Sequence, residues 1–484
     1  MSRNRFFLPL IVLLGHSLLF ACGEGKKAPS TAQAMPYPKN VIIFIGDGMG
    51  YNQVLAANYF EHGQAGVQPY EQDDWLQLGN ATYAAVTRLT ESDTVYGVGY
   101  NPRLAWQDAD YVRIGATGSA ESGTALSTGV KTYSPSIGIG VMGDTLIHLS
   151  QAAKALGKSA GIVSSVQISH ATPASFAAHN HARQNYSDIA RYLIFNTQLD
   201  LIIGAGNPDY DDDGKADESN GRFVGGRDVW EQLKANDGRI AFQVEGEAVY
   251  VQDVNGDGQR DPWTLLQTRE EFLELASGST SARVLGIPKV NSTLHYNRSG
   301  DEEPFPFAVP LNDNVPTLEE ITRAALHVLG QNPKGFFVMI EGGAIDWAGH
   351  GNHLGRIIEE QIDFNNSIRA AIDWVEANSS WDETLIVVTA DHETGYLTGP
   401  DHPEQVNSNV VNQGKGELPL VKWNSGGHTN QLVPLYAKGP GTELLKMFAD
   451  ERDPVRGPFI QHSEIPQAVF LMWGKPDIRV HRLP

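Results

Sequence analysis

The chain has 484 residues, of which 41% are hydrophobic and 9% aromatic, values typical of a globular protein with a sizeable core. Its formal net charge of -21 argues against nucleic acid or an anionic membrane surface as the partner, because both require a basic face. An acidic protein can still act on a small anion where metals or an arginine reverse the local field.

Residues 1–21 have the pattern of a signal peptide: two arginines precede an apolar run that is too short to span a bilayer comfortably. The run is followed by Cys22, the only cysteine, which resembles the lipidated first residue of a bacterial lipoprotein. We therefore predict an exported protein, anchored through Cys22 on the periplasmic side of a membrane, with residues 22–38 as a flexible tether. Phe20 stands where a small residue is usual, so cleavage by the ordinary signal peptidase and a soluble exported protein are the alternative.

From Lys39 onward, short apolar segments alternate with helical segments. The segments "VIIFIG", "GFFVMIEGG" and "TLIVVTAD" are continuously apolar, as expected of strands buried on both faces of a parallel sheet. Helical segments lie between them, and Thr317 with Glu320 predicts a capping box at the start of one helix. This alternation predicts the α/β class, as a three-layer α/β/α sandwich around a mostly parallel central sheet, over residues 39–484.

Three of these apolar segments end in acidic residues, namely Asp47, Glu341 and Asp391. Ligands of such sheets bind at the carboxyl ends of the strands, so the three carboxylates are expected to meet there. A solvated loop residue is the better interpretation of any one acid alone. Three acids that all follow buried strands would repel each other unless a cation held them, so the pattern predicts a metal site.

Histidines extend this predicted metal site. Asp346 and His350 are four residues apart, which places both on one face of a helix or tight turn. His428 follows two glycines, which allow the backbone to approach closely. Histidine combined with carboxylates is a ligand set typical of zinc.

Six motifs occur in the order found in alkaline phosphatases, and the chain resembles that family over nearly its whole length after Lys39. The motifs are "FIGDGMG", "ATGSAESGTALSTG", "HATPASFAAHNHAR", "EGGAIDWAGH", "TADHETG" and "SGGHT". The resemblance implies hydrolysis of small phosphate monoesters to an alcohol and inorganic phosphate, by a homodimer. The alternatives are a phosphodiesterase of the same superfamily and a calcium-dependent surface binding lipoprotein with an inactive phosphatase core.

The resemblance also implies a role for each matching residue. One zinc ion is expected on Asp346, His350 and His428, a second on Asp47, Asp391 and His392, and a magnesium ion on Asp47, Thr172 and Glu341. Ser119 would be the nucleophile that forms a phosphoserine at the start of a helix, where backbone N–H groups bind phosphate. Arg183 would bind two phosphate oxygens bidentately.

Several positions depart from the family pattern. Gly118 stands where an acid usually precedes the nucleophile, and Glu121 replaces a small residue in the same turn. Thr117 is the alternative nucleophile, since some relatives use threonine. His170 and Trp347 occupy variable positions of the catalytic site, and this pair resembles a cold-adapted marine bacterial subset of the family.

Residues of about 206–314 are rich in Gly, Asp and Asn and predict a loop-rich insert in the catalytic domain. Two nonapeptides in it, 209–217 and 253–261, fit D-x-[DN]-x-D-G-x-x-D, the pattern of an EF-hand-type calcium loop. The predicted calcium ligands are Asp209, Asp211, Asp213 and Asp217 in the first loop, and Asp253, Asn255, Asp257 and Asp261 in the second. An acidic solvated turn is the better interpretation of one copy, whereas two copies in register favour calcium.

Overall fold

The computed structural model of the chain describes residues 37–89, 94–235, 241–244, 247–278, 283–300 and 305–475. The predicted signal peptide, Cys22 and nearly all of the predicted tether lie outside the described residues. Within these ranges, no helix combines the length and the apolar character needed to cross a bilayer.

The helices and strands alternate along much of the described chain. The helices are α1 (Tyr51–His62), α2 (Ser119–Thr128), α3 (Leu149–Ala155), α4 (Ala171–Ala174), α5 (Tyr186–Arg191), α6 (Arg227–Ala235), α7 (Arg269–Leu275), α8 (Leu318–Leu329), α9 (Ala344–Gly351), α10 (Leu354–Asn378), α11 (Thr442–Phe448) and α12 (Glu464–Met472). The strands are β1 (Asn40–Gly46), β2 (Leu76–Ala81), β3 (Val86–Leu89), β4 (Thr94–Tyr96), β5 (Ser159–Gln167), β6 (Leu201–Ala205), β7 (Ala241–Val244), β8 (Glu247–Tyr250), β9 (Thr264–Leu266), β10 (Val284–Gly286), β11 (Phe336–Gly342), β12 (Thr384–Thr389), β13 (Glu393–Thr394), β14 (Leu397–Thr398), β15 (Lys422–Trp423), β16 (His428–Thr429), β17 (Val433–Lys438), β18 (Glu451–Asp453) and β19 (Gly457–Gln461).

One large sheet organises the fold, with the strand order β18-β19-β2-β17-β12-β1-β11-β5-β6-β10-β9. The run from β12 to β9 is parallel throughout, and antiparallel pairs occur only at β17 and β18 within this sheet. Alternate residues of β1 enter two apolar clusters: Ile43 packs with residues of α2, α3 and α12, and Phe44 with residues of α1, α8 and α10. Helices therefore cover both faces, and the predicted α/β/α sandwich with a mostly parallel sheet is confirmed.

The segment predicted as a loop-rich insert is more regular than its composition indicates. Its described residues include α6 and α7, and its strands β9 and β10 extend the parallel sheet beyond β6. Both strands are only three residues long. A strand of that length is too short to show a periodic pattern among the surrounding Gly, Asp and Asn residues.

The sheet brings the three predicted acids to one edge. Strand β1 lies between β11 and β12, and Ile45 pairs with Glu341 on one side and with Thr389 on the other. Asp47 and Asp391 follow the ends of β1 and β12 within two residues. The three acids therefore leave neighbouring parallel strands at the same edge.

The helix that begins at Ser119 packs closely against the segment that carries Thr172. A Cβ atom built at Gly123 in α2 would lie 2.2 Å from Ser175 Oγ and 3.5 Å from Thr172 Cα. The Ser175 hydroxyl donates a hydrogen bond of 2.7 Å to the Thr172 carbonyl, which fixes its position. Glycine at position 123 thus allows the two segments to approach.

We predict that Gly123→Ala lowers the free energy of unfolding by about 1–2 kcal/mol in a denaturant titration, since overpacking of a tight contact outweighs the gain in helix propensity. The hydroxyl of Ser175 is the clashing atom, so Gly123→Ala combined with Ser175→Ala should recover part of the loss. A single Gly123→Ala variant as stable as the wild type would contradict this account of the α2 packing.

Candidate active site

Two groups of ligating side chains lie at the carboxyl edge of the sheet. The first group consists of Asp346, His350 and His428, and the second of Asp47, Asp391 and His392. Within each group, one ligand atom from every residue lies within 4.8 Å of the others. The His392 and His428 rings stack with their centroids 3.6 Å apart, so the two groups are adjacent. The structure thus brings together both predicted sets of zinc ligands.

The first group is oriented by contacts to the backbone. His350 Nε2 and His428 Nε2 lie 3.3 Å and 3.4 Å from the Asp346 carboxylate, and 3.2 Å from each other. The opposite ring nitrogens, Nδ1, lie 2.7 Å from the carbonyls of Gly426 and Thr117. A carbonyl contact of this kind fixes the ring so that Nε2 faces the group, as in metal-ligating histidines.

The first group attracts positive charge. Burial opposes ionisation of Asp346, but the His350 and His428 imidazoles outweigh it and hold the pKa of Asp346 well below its usual range. The Asp346 carboxylate in turn raises the pKa of His350 to about 9. Burial lowers the pKa of His428, yet Asp346 outweighs that effect and raises it. Without a cation, the two protonated rings supply the positive charge that balances Asp346. A divalent cation bound between these side chains would supply that charge instead.

The second group is fully buried and lacks such compensation. His392 Nε2 lies 3.5 Å from Asp47 Oδ1 and 3.3 Å from Asp391 Oδ2. Burial and then the neighbouring carboxylates raise the pKa of Asp47 well above its usual range. Burial and Asp346 raise the pKa of Asp391 to about 6. Burial and the His428 ring hold the pKa of His392 well below its usual range, so this imidazole is neutral.

Glu341 and Thr172 lie beside the second group. The Thr172 hydroxyl contacts Glu341 and lies 3.4 Å from Asp47 Oδ2, and the Ser164 hydroxyl donates to Glu341 Oε2. Burial raises the pKa of Glu341 to about 8, and nearby Asp391 adds to this effect. The three predicted magnesium ligands are therefore in mutual contact through Thr172.

Three buried carboxylate oxygens here have no hydrogen-bond partner among the described residues, namely Asp47 Oδ1, Glu341 Oε1 and Asp391 Oδ2. A buried carboxylate oxygen without a partner is costly, and bound cations are one of the few ways to satisfy it. Oxygen ligands alone suit magnesium, whereas mixed imidazole and carboxylate ligands suit zinc. The donor atoms of these residues fit zinc and magnesium at the positions predicted for each.

Ser119 is the first residue of α2 and follows the N-cap residue Gly118. Its Oγ lies 3.2 Å from His392 Nε2. The first N–H groups of a helix have no acceptor within the helix, and together with the positive end of the helix dipole they form an anion site. The Thr117 hydroxyl instead lies 3.3 Å from the Gly118 carbonyl. This geometry favours Ser119 over Thr117 as the residue that faces the ligand groups.

Arg183, His170 and Trp347 form another part of the site. Arg183 is half-buried, and its Nη2 lies 3.3 Å from His170 Nε2. Burial and then the Arg183 guanidinium lower the pKa of His170 to about 3, so the ring is neutral and can accept this hydrogen bond. The same guanidinium contributes to lowering the pKa of His392, which places its charge near the second group. The Trp347 ring lies 5.7 Å from the His170 ring.

Two supporting residues were not identified from the sequence. The Thr394 hydroxyl donates to Asp346 Oδ1 at 2.5 Å, and Ser164 donates to Glu341. Thr394 lies in the "TADHETG" motif, and Ser164 lies in the buried strand β5, where it pairs with Glu341 of β11. A polar residue within a buried strand next to a predicted ligand was the signal that could have identified Ser164.

The first predicted calcium loop departs from the expected arrangement. Asp209 forms ion pairs with Arg227 and Lys234, so the protein itself compensates the charge of this predicted ligand. Asp213 accepts the backbone N–H of Ser299 at 2.7 Å. Where the chain is described, no three acidic side chains of either loop come together as the two groups above do.

In the second loop, side chains mainly satisfy the backbone of the loop itself. Asp253 accepts the N–H groups of Gly256 and Gly258 at 2.6 Å and 2.8 Å, and Asp261 accepts that of Val254 at 2.8 Å. These contacts define tight turns. Calcium binding at this loop stays a prediction from the sequence pattern.

The geometry is typical of one class of enzyme. Two adjacent cation-binding groups next to a serine at a helix N-terminus, with an arginine nearby, are the parts required for metal-dependent phosphoryl transfer. Sequence comparison agrees, because the profile of the family described as alkaline phosphatase matches residues 38–416. The chain belongs to the alkaline phosphatase family, as its motifs predicted.

Similar proteins cover most of the chain. Alkaline phosphatase 3 of Bacillus subtilis is 26% identical over an alignment of 488 positions, which covers 87% of this chain and 88% of that protein. The alkaline phosphatase of Escherichia coli is 28% identical over 443 residues, covering 86% of this chain and 84% of that protein. The solved alkaline phosphatase from the Antarctic bacterium TAB5 has the same fold, with a TM-score of 0.60 at 23% identity over 91% of this chain and 99% of that one. The protein is therefore a metal-dependent phosphatase that acts on phosphate monoesters, and the predicted enzyme class is confirmed.

We predict that chelation of divalent cations lowers the Tm, and that the loss grows with pH. Without cations, the native state retains protons on Asp391 and Glu341, whose pKa values of about 6 and about 8 lie above their ordinary values of 3.8 and 4.5. Stability therefore falls as the pH rises through these values. The stabilising charge of His350 is present below pH 6.5 and is lost as the pH rises through its pKa of about 9. Calorimetry from about pH 6 to about pH 9 should show a steadily falling Tm in chelator.

The protein loaded with zinc and magnesium serves as the control. Glu360 is buried elsewhere and its pKa is also raised to about 8, so it destabilises both forms alike as the pH rises. Only the difference between the two Tm curves reports on the site. A difference that stays constant across this pH range would contradict the assignment of the buried acids to cations.

Proposed function

We propose that the protein hydrolyses phosphate monoesters through a phosphoserine on Ser119, at a site of two zinc ions and one magnesium ion. The observation that carries this proposal is the position of Ser119 Oγ, 3.2 Å from His392 Nε2 and at the N-terminus of α2. This position puts a nucleophile next to predicted cation ligands and next to backbone groups that bind anions.

The cation assignment follows the donor sets. One zinc is assigned to Asp346, His350 and His428, the second to Asp47, Asp391 and His392, and magnesium to Asp47, Thr172 and Glu341. Bound cations supply positive charge that favours the ionised serine and stabilises the departing oxygen. A variant of the TAB5 enzyme has been solved with Mg bound, and this chain matches it at 22% identity with a TM-score of 0.59.

The residues of the chain have distinct roles in the two chemical steps. Ser119 Oγ loses its proton to water and attacks phosphorus, while the bond from phosphorus to the alcohol oxygen breaks; the departing oxygen takes up a proton and leaves as the alcohol. Water then attacks the phosphoserine, the bond from phosphorus to Ser119 Oγ breaks, and Oγ takes up a proton as inorganic phosphate is released. Arg183 donates to two phosphate oxygens, and neutral His170 orients the guanidinium because its Nε2 accepts a hydrogen bond of 3.3 Å from Arg183 Nη2.

Two alternatives fit the site less well. A phosphodiester has only two unbridged oxygens, which cannot satisfy a bidentate Arg183 and both cation groups at once. A binding lipoprotein with an inactive core would not need complete ligand groups, yet both groups are complete. Hydrolysis of monoesters is therefore the better interpretation.

Three further proposals rest on the sequence pattern. The protein is exported and anchored through Cys22, it forms a homodimer as the family resemblance implies, and the loop of residues 253–261 binds calcium. In the first loop, Asp209 already pairs with Arg227 and Lys234, so the calcium proposal is made for the second loop.

We predict that Ser119→Ala abolishes the phosphoenzyme and lowers kcat for a small monoester by about three orders of magnitude or more, because the covalent route is lost. Mass spectrometry of acid-quenched protein detects the phosphoenzyme, and steady-state assays give kcat. Phosphate found on Thr117 in this variant would contradict the assignment.

Thr117→Val is the matched control, since it removes the neighbouring hydroxyl and keeps Ser119. It should retain the phosphoenzyme.

The same assays with a diester, with and without chelator, separate the competing activities. Faster turnover of the diester than of the monoester by the metal-loaded wild type would overturn the proposed function.

A further inference from the structure

Two positions next to the nucleophile depart from the family pattern, and the structure places them in contact. Glu121, the third residue of α2, is only 4% exposed. Its Oε1 accepts the backbone N–H of Gly118 at 2.6 Å. Gly118 is the extended N-cap residue, with φ -103° and ψ 168°, and directly precedes Ser119. The carboxylate of Glu121 therefore fixes the backbone from which the nucleophile starts.

The space at this helix end accommodates one acidic side chain. A Cβ atom built at Gly118 would lie 3.1 Å and 3.3 Å from the two carboxylate oxygens of Glu121. An acid at position 118 would bring a second carboxylate towards the first, and two like charges at close range repel each other. Glycine at 118 and glutamate at 121 are thus physically linked, which accounts for both departures together.

The Glu121 charge also acts on the phosphate site. The N-terminus of α2 carries the positive end of the helix dipole, which attracts any anion placed there. Glu121 already occupies one N–H group at this end and contributes a negative charge of its own. The negative charge of Glu121 therefore partly cancels the positive potential of the helix end, so a phosphate group at Ser119 is attracted less strongly.

We propose that Glu121 is a positioning residue of the phosphate site, which holds the Gly118–Ser119 backbone through its hydrogen bond and weakens the retention of phosphate through its charge. This inference rests on the proposed function, because it concerns the site of Ser119.

The first test separates charge from hydrogen bonding in the metal-loaded enzyme. Glu121→Gln keeps an oxygen that can accept the Gly118 N–H but removes the charge. We expect the inhibition constant of inorganic phosphate to fall by about threefold or more, the effect of one charge near a helix terminus. KM for a monoester should fall in parallel, while kcat decreases wherever phosphate release limits turnover.

A capping glutamate elsewhere provides the matched control. Glu271 accepts the backbone N–H of Thr268 at 2.8 Å at the start of α7, outside the catalytic site. Glu271→Gln should leave phosphate inhibition unchanged. If Glu121→Gln also leaves it unchanged, or weakens phosphate binding, the proposal is overturned and Glu121 only caps the helix.

The second test exchanges the two positions. Gly118→Asp alone should lower kcat/KM, because two carboxylates then compete for one space. Adding Glu121→Ala to it should recover activity, so that the loss of kcat/KM in the double variant is smaller than the sum of the losses in the two single variants. Strictly additive losses would contradict the link between the positions. Failure of the wild type to form a phosphoenzyme would instead overturn the proposed function, so the two outcomes are distinguishable.

Discussion

Carboxylates at the ends of three neighbouring buried strands cannot all be ionised without a counter-charge, and the site is organised around this constraint. Burial and repulsion by nearby carboxylates raise the pKa values of Asp47, Glu341 and Asp391. The pKa of Asp346 is instead lowered, because two imidazoles face its carboxylate. The edge therefore demands positive charge in two chemically different places. Asp346, His350 and His428 form an imidazole-rich place that reaches the surface and suits zinc. Asp47, Thr172 and Glu341 form a buried place that offers only oxygen and suits magnesium.

The sheet topology explains how these acidic residues come to lie side by side. Parallel strands end at a common edge, so β1, β11 and β12 deliver their acids without any long loop. Helix α2 then begins at the same edge and directs its N-terminus to it, while α9 supplies a carboxylate and an imidazole from successive turns. The close packing at Gly123 brings the helix that begins at Ser119 against the segment of Thr172, the proposed magnesium ligand. The contact between α2 and the Thr172 segment therefore contributes both to stability and to the position of the proposed site residues.

Much of this arrangement could be predicted from the sequence, because buried strands and helix caps have local patterns. The capping box of Thr317 and Glu320 is formed as expected, with both reciprocal hydrogen bonds present. The ion pairs of Asp209 could not be predicted, because Arg227 and Lys234 lie 18 and 25 residues away and nothing in the nonapeptide indicates them. From the sequence, Glu121 is recognisable only as a departure from the family pattern. Its hydrogen bond to the Gly118 N–H could not be predicted, because it depends on the space that the N-cap glycine leaves.

The central claim is that the two ligand groups at this edge bind the cations that make the protein a phosphatase. Anomalous X-ray scattering measured on either side of the zinc absorption edge, on crystals of the active protein, tests it most directly. We expect one zinc peak between Asp346, His350 and His428, a second between Asp47, Asp391 and His392, and a non-anomalous ion beside Thr172 and Glu341. Crystals of active protein with no zinc in these two groups, or with zinc bound only elsewhere, would contradict the account.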